Sequence, residues 1–291
     1  HHASSDPEVQ IINLGNLEYS HAPNKQVLRQ IYDETGIMFM MGDFLGAYTI
    51  GSGAPWMAGT DYRDARQAAS MMRSVHDMVM EFKDEPYVLL WALGNENNYE
   101  KYTRTNASKY PVEYAKFVNK VAKYIKKLDP NHPVVLVNGE TIFLDIYKKY
   151  APEVDILGIN TYRHLQGFNT LWKEVDAKYG KPVLITEYGV AHPPVDPDTK
   201  ILNEERQSRV HKACWEDIYA HRAGGEKTPS NSLGGFAYAF VDDWWQSGNP
   251  GGHDVTEDTW NYEWHGLLSQ GMGKKSPLLR QPRKVYYMYK E

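Results

Sequence analysis

Two glutamates each close an apolar run. Leu89-Leu90-Trp91-Ala92-Leu93 passes through Gly94 into Asn95-Glu96-Asn97-Asn98, and Val183-Leu184-Ile185 passes through Thr186 into Glu187-Tyr188. Two carboxyl groups delivered from separate strands are equipment for breaking a glycosidic bond. One, protonated, releases the leaving oxygen; the other stabilises or attacks the anomeric carbon from the opposite face. Their surroundings must differ, so that one keeps its proton near neutral pH while the other stays ionised. Other run ends add suitable groups: Asp43, Asn138 and Glu140, and Asn160 with Tyr162. Asn95 suits a sugar hydroxyl, Tyr162 could orient a carboxylate nucleophile, and Trp244 and Trp245 offer faces for a sugar ring. Each has a plainer reading as well. Glu96 reads as an acid at a helix N-terminus, Glu187 as half of an ion pair, Tyr162 as packing, and either Trp as core.

The elements that must position these groups alternate along the chain. Strand candidates are Val9–Leu14, Ile37–Met41, Tyr87–Leu93, Pro133–Val137, Asp155–Ile159, Pro182–Ile185 and Gly235–Phe240. They lack polar alternation, which is how strands covered on both faces read. Helical periodicity fills the intervals at Lys25–Glu34, Asp61–Lys83, Val112–Leu128, Thr141–Lys149, Leu171–Tyr179, Glu204–Arg222 and Leu278–Lys290. Strand–helix repetition with short returns requires parallel pairing. The expected fold is therefore α/β, a (β/α)8 TIM barrel, whose chemistry gathers at the C-terminal ends of the strands. An open doubly wound sheet is the alternative, weakened because no G-x-G-x-x-G follows the first strand.

Trp91-Ala92-Leu93-Gly94-Asn95-Glu96 resembles the acid/base motif of clan A glycoside hydrolases, family 2 in particular, and Val183-Leu184-Ile185-Thr186-Glu187-Tyr188-Gly189 resembles the family's nucleophile motif. Ile159-Asn160-Thr161-Tyr162 is similar to the segment that brings a Tyr to the nucleophile. Ser20-His21-Ala22-Pro23 is similar to a Ser-His-Tyr-Pro stretch, which makes His21 a subsite residue. Gly234 through Trp245 is similar to the last strand with its sugar-platform Trp. The resemblance implies Glu96 as acid/base and Glu187 as nucleophile, about 5–5.5 Å apart as in retaining enzymes. Three departures stand beside it. Glu18 occupies the place of a family Arg, and no β-sandwich domain precedes the barrel. The clan's fourth strand is also the third here, implying a barrel incomplete at its N-terminus, whose open edges a partner segment or second copy would cover.

Bulk composition narrows the field. In 291 residues with net charge −5, Lys and Arg are scattered, leaving no stripe for nucleic acid and no polybasic membrane patch. No apolar stretch approaches the ~20 residues of a membrane span. The single cysteine, Cys214, forms no internal disulfide and reads as core. Residues 1–8 read as a tag remnant or tail, and 9–291 as one barrel domain. No cofactor is expected. His253-Asp254 and Glu257-Asp258 lie in a long loop that reads more naturally as solvated than as a cation site. Arg163-His164 after Tyr162 hints at a uronic acid, while the choice of sugar otherwise rests with loops. The compartment is not readable.

The expectation is a retaining β-glycosidase acting on a carbohydrate through a covalent glycosyl-enzyme. Two alternatives share the residues: a transglycosylase with the same glutamates, and a barrel that binds carbohydrate without turnover.

Overall fold

A computed structural model describes the main chain of residues 11–13 and residues 24–163, 167–196, 201–243, 262–269 and 280–291. Seven strands form one sheet: β1 (Ile11–Asn13), β2 (Met38–Asp43), β3 (Val88–Leu93), β4 (Val134–Gly139), β5 (Ile156–Asn160), β6 (Val183–Tyr188) and β7 (Ser232–Ala237). They pair in sequence order, every ladder parallel. Helices α1 (Lys25–Thr35), α2 (Ala65–Phe82), α4 (Pro111–Leu128), α5 (Leu144–Tyr150), α6 (Leu171–Lys178) and α7 (Glu204–Ala220) supply the crossovers, and the short α3 (Glu100–Thr103) follows β3. This is a TIM-type barrel incomplete in its hydrogen bonding. Among the described residues no ladder joins β1 to β7, although the two come side by side with Cα atoms within 8 Å.

Two cores follow from strand alternation. Met40, Leu90, Ala92, Val135, Val137, Ile156, Leu184 and Phe236 fill the barrel interior. Their neighbours Phe39, Trp91, Leu93, Val134, Leu136, Leu157 and Ile185 face the helices and join Met71, Val75, Val79, Val118 and Val121 in the larger outer core. Each helix starts where chemistry permits. Asp64 accepts from the N–H groups of Arg66 and Gln67 to cap α2, Asn203 accepts from Arg206 to cap α7, and Pro111 opens α4. Gly36 ends α1 at φ 72°, the left-handed cap that the Thr35-Gly36 pair announces. Asp129, at the helix stop before Pro130, accepts from Trp91 Nε1 at 2.8 Å and ties α4 to β3.

Several boundaries differ from the sequence reading; α2, for example, starts at Ala65 rather than Asp61. The last strand of the sheet runs Ser232–Ala237 rather than Gly235–Phe240. Gly235 lies so close to α7 that a Cβ would meet Ile218 at 2.7 Å. The C-terminal helix α8 spans Lys284–Lys290 only. Gln281–Pro282 instead forms strand β9, antiparallel to β8 (Leu268–Ser269). Arg283, just before α8, makes a buried two-pronged pair with Asp242 at 2.6 and 2.7 Å, binding the C-terminus to the chain beyond β7.

Candidate active site

Glu187 owes its direction to an irregularity. Along β5 and β6, Ile159 pairs with Ile185, but Asn160 pairs with Glu187, so β6 carries one extra residue. Ile185 faces the helices, and strict alternation would send Glu187 the same way. The bulge places it on the same face as Asn160 and Ile156, toward the barrel mouth. There the Tyr162 hydroxyl donates to Glu187 Oε2 at 2.6 Å. Burial, followed by the Glu187 charge, holds the Tyr162 phenol well above its ordinary pKa, so it remains a donor. The backbone is tied here too, since Thr161 N–H donates to the Glu187 carbonyl at 2.9 Å.

Glu96 is presented by a left-handed corner. Gly94 at φ 73° and Glu96 itself at φ 56° turn the chain off the end of β3. The Glu96 N–H reaches back to the Val137 carbonyl at 3.2 Å, and its carbonyl accepts from Tyr99 at 2.8 Å. Asn97 secures the corner: its Oδ1 accepts from Asn95 N–H, while its Nδ2 donates to the Phe44 and Leu45 carbonyls and to the Tyr62 hydroxyl. Burial is the main cause that pushes the Glu96 pKa up to about 7; the Glu140 charge adds to it, and a hydrogen bond from Asn160 opposes it. At neutral pH this carboxyl can therefore act as a proton donor.

A hydrogen-bond chain joins Thr186 and Asn95, the residues that precede the two glutamates. Thr186 Oγ1 donates to Asn160 Oδ1 at 2.6 Å, and Asn160 Nδ2 donates to Asn95 Oδ1 at 3.0 Å. Asn95 in turn hydrogen-bonds Tyr48, whose phenol is pushed to about 12 by burial and then by the charges of Glu96 and Glu187. Asp43 ends β2 and is held by its neighbours. Its oxygens accept from Leu45 N–H at 2.8 Å and Ser74 Oγ at 2.6 Å, so it anchors the loop that carries Tyr48. His21, Trp244 and Trp245 lie outside the described residues, as do His253, Asp254, Glu257 and Asp258. From the β7 side, the ring that meets Tyr162 is Tyr238, edge-on at 6.3 Å, with its hydroxyl donating to Asp243 at 2.7 Å. Among the described residues no group of three or more His, Cys, Asp or Glu side chains could hold a metal.

Tyr48, Tyr99 and Tyr238 are additions to the sequence-derived set, which already held Glu140 as a run-end group. Tyr99 stands over Gly139, where a Cβ would come within 2.2 Å of its ring. Arg163 is committed: its guanidinium pairs with Glu140 at 2.5 and 3.0 Å and donates to the Phe168 carbonyl at 3.0 Å. Its charge is answered within the chain by Glu140; His164 lies outside the described residues.

A parallel barrel with two carboxyl groups, amides and tyrosines at the C-terminal mouth has the architecture of carbohydrate-active barrels. The comparison with known families agrees: residues 8–216 match the TIM barrel domain of glycosyl hydrolases family 2, and the chain belongs to that family. Among curated proteins it is 24% identical over 217 residues to a β-glucuronidase of Paenibacillus borealis, covering 69% of this chain and 34% of that protein. It is 27% identical over 129 residues to human β-glucuronidase, covering 40% of this chain and 18% of that one. The β-D-glucuronidase of Dictyoglomus thermophilum shares the fold with a TM-score of 0.63 at 16% identity, over 98% of this chain and 44% of that chain. The chain thus spans about a third of the bacterial curated relative and less than half of that solved structure.

Proposed function

We propose that this barrel is a retaining β-glycosidase in which Glu187 attacks the anomeric carbon and Glu96 serves as acid, then base. The observation that carries the reading is the unequal treatment of the two carboxyls. Glu187 accepts a hydrogen bond from Tyr162, which favours its ionised form, while burial and the Glu140 charge favour the protonated form of Glu96.

In the first step a lone pair of Glu187 forms a bond to the anomeric carbon as the glycosidic C–O bond breaks. The leaving oxygen takes the Glu96 proton. In the second step Glu96, now a carboxylate, removes a proton from water as that water displaces Glu187. Asn95 and Asn160 supply amide groups beside the pair for sugar hydroxyls. The names of the relatives point first to β-glucuronides as substrates.

The test follows the anomeric configuration of the first-formed sugar by proton NMR during cleavage of an aryl β-glycoside. A β-anomer appearing before mutarotation supports double displacement; an α-anomer appearing first overturns it.

A further inference from the structure

One side chain touches both flanks of Tyr162. Glu140 follows β4 with its backbone at φ 52°, and its N–H donates to the Asn160 carbonyl at 3.1 Å. Its carboxylate accepts from the Thr161 hydroxyl on one side of Tyr162. On the other side it takes the Arg163 guanidinium through Nε at 3.0 Å and Nη2 at 2.5 Å. Thr161 also donates its N–H to the Glu187 carbonyl, and Arg163 is pinned from behind by the Phe168 carbonyl. The segment 161–163 is therefore held at both ends by one carboxylate, with the Tyr162 hydroxyl on Glu187 between them.

We infer that Glu140 is a positioning residue of this site: it clamps Thr161 and Arg163 and thereby fixes the Tyr162 hydroxyl on Glu187. The inference rests on the proposed roles of Glu187 and Glu96, and extends them to a residue that touches neither the reacting sugar nor the nucleophile. Nε and Nη2 both bear on Glu140 Oε2, and Nε also lies 3.3 Å from Oε1, so the planar guanidinium sets direction as well as distance. A misplacement on the order of 1 Å at a reacting group costs roughly 100-fold in rate.

Glu140 has a second effect from the same place. Its charge lies close enough to Glu96 to help keep that carboxyl protonated. The other groups around it are Arg163, Tyr99 and, across Arg163, Glu174, which accepts from the Thr141 hydroxyl at 2.8 Å. Arg163 answers the Glu140 charge in part, so Glu140 acts on Glu96 as one end of a dipole. Glu140→Gln leaves a hydrogen-bond acceptor but removes the charge. Glu96 then ionises more readily, and the falling limb of the pH–rate profile moves to lower pH.

The test is a double-mutant cycle on the rate of covalent labelling by an activated 2-fluoro β-glycoside, whose leaving group needs little help from Glu96. Glu140→Gln and Tyr162→Phe should each slow labelling by roughly 10- to 100-fold, and the double variant should be no slower than Tyr162→Phe alone. Losses that multiply in the double variant would overturn the inference. Thr161→Val, which keeps the N–H bond to Glu187, supplies the same comparison if Glu140→Gln does not fold. A readout independent of turnover is the crystal structure of whichever variant folds: the inference predicts Tyr162 displaced from Glu187, and an unmoved Tyr162 contradicts it. Failure of the wild-type chain to be labelled at all would count against the proposed function, whereas the crystallographic comparison would still decide the role of Glu140.

Discussion

Asn160 and Glu187 stand side by side on β5 and β6, although a regular continuation of the ladder from Ile159 and Ile185 would pair Asn160 with Thr186. That single extra residue decides which way the carboxylate points. Without it Glu187 would face the helices. With it, Glu187 meets the Tyr162 hydroxyl and shares the barrel mouth with Asn160 and Asn95.

The pH profile should have a falling limb near the Glu96 value. Burial pushes that carboxyl up to about 7, and the first step needs it protonated. Values of kcat/KM should therefore drop about tenfold per pH unit above about 7. Steady-state rates across pH 5–9 check this; a flat profile through pH 8 contradicts it.

Tyr162→Phe removes the donor on Glu187 while keeping the ring that packs against Tyr238. The expected loss in kcat/KM is roughly 10- to 100-fold, in line with one charge-assisted hydrogen bond of about 1.5–3 kcal/mol. The melting temperature should change little by comparison. Kinetics beside thermal unfolding separates the two effects.

Glu96 also couples stability to pH. Its folded pKa is raised above the ordinary 4.5 to about 7, so the native state holds its proton more tightly than the unfolded chain. This contribution is fully present below about pH 4.5 and is lost as pH rises through about 7. Glu96→Gln, which cannot ionise, should therefore gain relative stability between pH 4 and pH 8, on the order of 2 kcal/mol with solvent screening at the half-open mouth. Urea unfolding of both proteins at the two pH values measures the change.

A buried charge pair joins the start of the C-terminal helix to the chain beyond β7, beside the packing of Val285 and Tyr289. Arg283 and Asp242 are 5% and 0% exposed in their side chains, and the guanidinium also donates to the Gly266 carbonyl at 2.7 Å. Arg283→Ala leaves Asp242 buried without this partner and should cost about 3–5 kcal/mol. Unfolding midpoints of wild type and variant give the number directly.

Much of the framework was legible because buried parallel strands write themselves as unbroken apolar runs. The positions of Asn95-Glu96 after β3 and of Glu187 on β6 followed from where those runs stop. The direction of Glu187 did not, because a bulge depends on register with a neighbouring strand and leaves no local trace. The left-handed backbone at Glu96 is equally silent, since Asn97 enforces it through contacts with the Phe44–Leu45 corner. Asp43 looked like a group at the mouth because its strand ends there, yet its oxygens are taken by Leu45 and Ser74. The Glu140–Arg163 pair joins two loops far apart in sequence, and nothing in either loop announces the other. The start of β7 was missed by three residues, because Ser232, Leu233 and Gly234 lack the apolar run that marks the other buried strands.

The central claim is that Glu187 forms a covalent bond to the sugar, and the most direct measurement is intact mass after incubation with activated 2-fluoro β-glycosides, beginning with the glucuronide. The account predicts one added glycosyl unit, mapped by peptide mass spectrometry to Glu187 and absent in Glu187→Gln. A folded chain that hydrolyses the parent glycoside yet carries the label elsewhere, or never carries it, would contradict the account.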